Sequence, residues 1–180
     1  MLRIFNARIG LVWMICGVCA ASGDDRILFS EDFKTPIEGR WKEVRFHEPT
    51  DYRIVTDRSN ACLMAFARGG CSALATKVDI PARDGITCSW RWKIQSCPKD
   101  GTDDRIDGFD HAARVLVAFD TWIGPPRTIN YVWANRAQTN STFTHPFSSR
   151  TKFIAVESGN TNAGRWVIER RDIRKDWELP

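Results

Sequence analysis

The sequence predicts an all-β protein, an antiparallel β-sandwich built from about ten short strands. Three observations carry that expectation. Nearly every segment after residue 26 is short and either alternates apolar with polar residues or runs apolar throughout. Turn residues punctuate the chain between those segments, and no segment carries an amphipathic helical stripe.

Taken in order, the strands expected are ILFSEDF (27 to 33), RWKEVRF (40 to 46), DYRIVT (51 to 56), CLMAFA (62 to 67) and SALATKVDI (72 to 80). ITCSWRWKI (86 to 94), ARVLVAFD (113 to 120), TINYVWA (128 to 134), KFIAVES (152 to 158) and RWVIERRDI (165 to 173) follow. Pro36 with Gly39, Pro49, Asp57 to Asn60, Gly69-Gly70, Pro81 with Gly85, Pro98 to Gly101, Gly124-Pro125-Pro126 and Gly159 to Gly164 separate them. ITCSWRWKI is the clearest: Ile86, Cys88, Trp90, Trp92 and Ile94 alternate with Thr87, Ser89, Arg91 and Lys93, so the tryptophans pack inward and Arg91 points the other way. Val115 to Phe119 is a continuous apolar run, the pattern of a central strand covered on both faces.

Residues 1 to 21 read as a secretory signal. Arg3 and Arg8 form a basic start, Ile9 to Val18 is apolar but well short of the ~20 residues a spanning helix needs, and Cys19-Ala20-Ala21 supplies small residues. The expected product is a single domain, residues 22 to 180, exported to the periplasm or the medium and without a membrane anchor once the signal is cut. Its charge is modest. Of 26 Lys and Arg against 22 Asp and Glu, the signal removes two basic residues, so +4 becomes +2. The basic residues are dispersed among acidic ones, which argues against nucleic acid as a partner. Cys62, Cys71, Cys88 and Cys97 allow two disulfides in three connectivities, and the sequence does not choose among them. It is equally silent on oligomeric state.

SWRWKI, DHAARVLVAFD, INYVWANR, HPFSSRTKFIAVESG and GRWVIERRDI, in that order, resemble the bacterial family catalogued as DUF3047, and LFSEDF…GRWKEVRF…TDYRIV resembles its opening segment. The resemblance implies an exported jelly-roll or concanavalin-like β-sandwich with no established activity. Members of that family continue past the match to RRDIRKDW with a further strand, whereas this chain stops at Glu178-Leu179-Pro180. The resemblance therefore implies a shortened and less stable C-terminal end.

For function, the sequence points first to non-catalytic binding of a saccharide or small polar ligand on a concave sheet face. Arg91, Arg114, Asn130 and Glu157 each set a hydrogen-bonding group among apolar strand neighbours, and Trp122 lies in a loop where it would form an aromatic rim. The alternatives are a glycoside hydrolase-like enzyme and a structural envelope protein without a ligand. Hydrolysis needs two carboxylates, and Glu157, Glu169 and Asp120 lie on or near strands with nothing in the sequence to pair them. No catalytic residue and no cofactor is assigned. The loop KDGTDDRIDGFD, with Asp100, Asp103, Asp104, Asp107 and Asp110, and the pair Glu31-Asp32 leave a structural calcium open, but the spacing is not that of an EF-hand, and the acidic loop reads as solvated.

Overall fold

The computed structural model describes residues 2–5, 9–21, 27–78, 80, 86–105, 108–119, 126–145 and 148–179. Among the described residues thirteen strands are found: β1 (Leu2–Phe5), β2 (Ile9–Ala21), β3 (Ile27–Glu31), β4 (Lys42–Arg45), β5 (Asp51–Asp57), β6 (Asn60–Arg68), β7 (Ser72–Thr76), β8 (Ile86–Ile94), β9 (Ala113–Phe119), β10 (Arg127–Ala134), β11 (Thr142–His145), β12 (Ser148–Ser158) and β13 (Val167–Asp172). One short helix, α1 (Ile173–Glu178), follows. The strands form a seven-stranded sheet in the order β11-β12-β10-β9-β1-β7-β4 and a six-stranded sheet in the order β13-β8-β2-β6-β5, with β3 paired to the far part of β2.

Alternation decides what each strand buries. In β8 the residues Ile86, Cys88, Trp90, Trp92 and Ile94 are buried and those between them are half-exposed, as the sequence predicts. Trp90 lies 5.0 Å, ring centre to ring centre, from Tyr131 of β10, and Trp92 lies 5.6 Å from Trp133. The inner faces of the two sheets therefore meet through aromatic rings. Leu63, Leu74, Val115, Val117, Ile129, Ile154 and Phe33 fill the same core. Four large rings in contact bury much apolar area and add offset and edge-to-face attraction.

Two findings differ from the sequence reading. First, β10 and β12 run parallel, whereas every other strand pairing is antiparallel. Parallel neighbours need a crossover, and residues 135 to 147 supply it, with β11 inside the connection. Second, residues 173 to 178 leave the sheet as α1, because the Asp172 side chain accepts from the Arg174 and Lys175 N–H groups and caps a helix there. Residues 2–5 and 9–21, within the segment read as a signal, pair as strands in the full chain: β1 lies between β7 and β9, and β2 between β8 and β6.

Three buried carboxylates hold the strands in place. Asp176 of α1 accepts from Tyr131 Oη of the seven-stranded sheet (2.9 Å) and from Arg171 Nε and Nη2 of the six-stranded sheet (2.9 and 2.6 Å). Glu31 accepts from the Phe33 backbone N–H and from Trp41 Nε1, both at 2.8 Å, and pairs with Arg40. Its oxygens are thus occupied by donors of its own fold.

Asp103 is the third, and it corrects the picture of the acidic loop as solvated. Asp100 and Asp104 are exposed, but Asp103 is buried. Its carboxylate accepts from the backbone N–H groups of Asn135, Arg136 and Ala137 at 2.9, 2.7 and 2.8 Å, which are the first residues of the crossover. Gly101 permits the approach: a Cβ there would lie 2.6 Å from Asn135 Oδ1. His111 Nε2 stands 3.2 Å from Asp103 Oδ1, out of line for a straight hydrogen bond, and its ring is stacked with Phe143 and Phe153. Burial pulls the Asp103 carboxyl upward, but His111 and the three backbone donors outweigh it and hold the group well below the usual carboxylate range. Burial also pushes His111 down, to about 4, against the attraction of Asp103.

Asp103→Ala would strand these donors in a buried site, and loss of stability on the order of 3 kcal/mol is expected in urea unfolding, at 1 to 3 per unsatisfied buried group. His111 is held neutral by the fold, so the unfolded chain takes up its proton first as pH falls. The His111 contribution to stability is therefore lost as pH falls from 6.5 toward 4, the span between the ordinary and the folded values. His111→Phe, which keeps the ring stacking but cannot titrate, should gain unfolding midpoint relative to wild type as pH falls across that window.

Candidate functional site

The residues singled out in the sequence do not share one face. Arg91 lies on the outer face of the six-stranded sheet, opposite the exposed Ile168 in register. Arg114 and Asn130 lie on the outer face of the seven-stranded sheet, in register with Val132 and Leu116. Glu157 stands opposite Trp133, whose ring faces the core between the sheets. Trp122 lies outside the described residues. The expected single binding face is thereby corrected: period-two alternation fixes which side of its own strand a residue takes, but not which sheet that strand joins.

On the seven-stranded sheet, Arg114 is drawn into packing. Its guanidinium lies 5.5 Å from the ring centres of both Phe109 and Phe153, its Nη2 donates a long bond to the Phe109 carbonyl (3.4 Å), and its Nε has no partner. Burial lowers its pKa, against the pull of Asp110. Asn130 is 2% exposed and reaches Thr128 Oγ1, at 3.5 Å. Asn130 is closed to solvent in this arrangement, whereas Arg114 is half-buried.

The outer face of the six-stranded sheet is different. Trp166, at the end of the β12–β13 connection, donates its indole N–H to Asp57 Oδ2 at 2.7 Å, and Lys93 Nζ reaches the same oxygen at 2.5 Å. Lys93 lies 5.2 Å and Arg91 5.9 Å from the Trp166 ring centre. Hydrogen bonds from Lys93 and then Trp166 hold the Asp57 carboxyl below its ordinary value. Arg91 has no carboxylate partner among the described residues, although carboxylates are the usual company of a strand arginine. The turn that delivers Asp57 is strained: Arg58 and Ser59 connect β5 to β6 with φ of 47° and 70°, a left-handed pair that Asn-Gly would adopt at less cost. Strain of this kind persists where the surrounding structure requires the geometry. Cys62 Sγ, on the same face, donates to the Val55 carbonyl (3.6 Å), and burial pushes the thiol up to about 11, away from the thiolate form. Cys62 and Cys97 are unbridged.

A second grouping lies on the inner side and holds two carboxyls, one within range of the other's charge. Glu169 of β13 accepts from Trp92 Nε1 at 3.3 Å, and Glu157 of β12 takes the Asn162 amide on both oxygens, at 3.3 and 3.2 Å. Burial first, and then the charge of Glu157, raise Glu169 to about 7, against Trp92 and Arg171. A carboxyl poised near neutrality beside a second carboxylate has the protonation that general acid chemistry uses.

With this geometry in place, the comparisons with known proteins decide the family. The chain belongs to the DUF3047 family. The family, described as a protein of unknown function, matches residues 39–179. No curated protein and no solved structure matches the chain. The DUF3047 match takes in β4 through α1 and every side chain of both groupings, but neither LFSEDF nor the first two strands.

The pH dependence of this DUF3047 domain should carry the mark of Glu169. Its folded value, about 7, lies above its ordinary 4.5, so the fold favours the protonated form. That contribution is complete below 4.5 and is lost as pH rises through 7. Glu169→Gln, which stays neutral, should gain stability relative to wild type as pH rises from 4.5 to 7, His111 acting equally in both proteins. Parallel stability curves in chemical denaturation would show an unshifted carboxyl.

Proposed function

We propose that this DUF3047 protein is an exported, jelly-roll or concanavalin-like β-sandwich that binds a saccharide or small polar ligand without catalysis. The observation that supports it most is Arg91: a guanidinium beside an indole on a half-exposed sheet face, without a carboxylate partner among the described residues. Trp166 offers an aromatic surface for a sugar ring, and Arg91, Lys93 and Asp57 offer planar or charged hydrogen-bonding groups around it. This keeps Arg91 from the sequence reading and replaces Trp122 by Trp166 as the aromatic element. Sheet-on-sheet contact through Trp90, Trp92, Tyr131 and Trp133 supports the sandwich, and the basic, apolar and small-residue succession of residues 1 to 21 supports export.

Screening against glycans and cell-wall fragments, followed by calorimetry, tests the reading. Arg91→Ala should weaken binding by ~1 to 3 kcal/mol, the worth of a charge-assisted hydrogen bond, and Trp166→Ala by a similar amount, while melting temperature barely moves for Arg91→Ala. Unfolding of Arg91→Ala, or binding indifferent to both substitutions, would remove this face from consideration.

The grouping of Glu157 and Glu169 favours a second reading, a glycoside hydrolase-like enzyme with Glu169 as proton donor and Glu157 as the second carboxylate. Turnover of any glycan that is abolished by both Glu157→Gln and Glu169→Gln, and untouched by Arg91→Ala, would select it over binding alone.

A further inference from the structure

The strand Ile9–Ala21 occupies the place in its sheet where absence costs most. On one side it pairs with the whole of β8, from Val12 opposite Ile94 to Ala21 opposite Ile86. On the other it pairs with β6, from Ile9 opposite Arg68 to Met14 opposite Leu63, and then with β3. Taking β2 away would leave β6 and β8 separated by a strand's width, roughly 10 Å from twice the ordinary strand spacing, with backbone N–H and C=O groups of both edges unpaired. β8 carries Trp90 and Trp92, the core of the sheet contact. The slot walls lie within the family match at 39–179, whereas the strand that fills the slot lies outside it. Its sequence, IGLVWMICGVCAA, has no charged residue and is apolar at both parities, which suits a strand with neighbours on both edges.

We propose that β6 and β8 form a strand-acceptor slot for an extended, uncharged, apolar segment, filled in cis by residues 9–21 and open to the same segment as a separate peptide. Main-chain ladders on both edges supply affinity, and the positions opposite Ile94, Trp92, Trp90, Cys88 and Ile86 fix the register. The consequence for the exported form rests on the export reading above: signal removal takes the occupant away, and the mature chain then requires an extended apolar segment of another polypeptide.

The test uses the full chain with a protease site placed between residues 22 and 26. After cutting of the folded protein, the 1–21 fragment is expected to stay with the remainder in size-exclusion chromatography and to be displaced by excess labelled peptide of residues 9–21. Val12→Pro, which removes a ladder donor between two neighbours, is expected to lower the melting temperature by about 10 °C. Release of the fragment with an unchanged melt, or a Val12→Pro protein that melts as wild type, overturns the slot. Where Val12→Pro does not fold, the cut wild-type chain carries the test alone. Intact mass of protein recovered from the periplasm or medium tests export separately, so the failure of one reading is distinguishable from the failure of the other.

Discussion

The contact of Trp90 with Tyr131 and of Trp92 with Trp133 is the interaction on which the other features depend. Two sheets of short strands have little local reason to face each other, since hairpins alone are marginal in water. Four rings with centres 5.0 to 5.6 Å apart across the interface supply that reason. They also dictate the rest of β8. With both tryptophans inward, Arg91 and Lys93 are committed to the outer face, and the strand becomes the floor of whatever that face does.

Around this seam the protein uses buried acids as fixed points. Asp103 gathers three backbone donors at the start of the crossover, Asp176 ties Tyr131 to Arg171 and so one sheet to the other, and Glu31 holds Trp41 and Arg40 against the Phe33 turn. A carboxylate serves well in this role because it accepts several hydrogen bonds at once and each charge-assisted bond is stronger than a neutral one. The same chemistry separates structural acids from candidate functional ones. Asp103 is held well below the carboxylate range by its donors, while Glu169, with one long bond from Trp92 and the charge of Glu157 nearby, is raised.

The two groupings sit on opposite sides of β8 and are joined by one connection. Asn162 in that connection holds Glu157, Trp166 at its end caps the Lys93–Asp57 pair, and Glu169 follows on β13. Displacement of this connection would alter both the outer aromatic surface and the inner carboxyl pair. That coupling is a property of the β12–β13 connection, not of either strand alone.

Much of this was legible in the residues themselves. The alternation of ITCSWRWKI set Trp90 and Trp92 inward and Arg91 outward, and the apolar run of Val115 to Phe119 marked a central strand, because side-chain direction along a strand is a local property of the backbone. The family, too, could be seen in the order of its motifs. Hidden in sequence was everything that depends on which strands become neighbours: the parallel pairing of β10 with β12, the burial of Asp103 in a loop that reads as solvated, the division of Arg91, Arg114 and Glu157 among three surfaces, and the placing of Glu169 within range of the charge of Glu157. Even the apolar stretch 9–21 has the composition of a signal and the placement of an inner strand. Sequence determined the face each residue takes on its own strand, since that follows from a period of two. Only the tertiary structure decided which faces meet, since strand order and register are set by long-range packing between segments far apart in the chain.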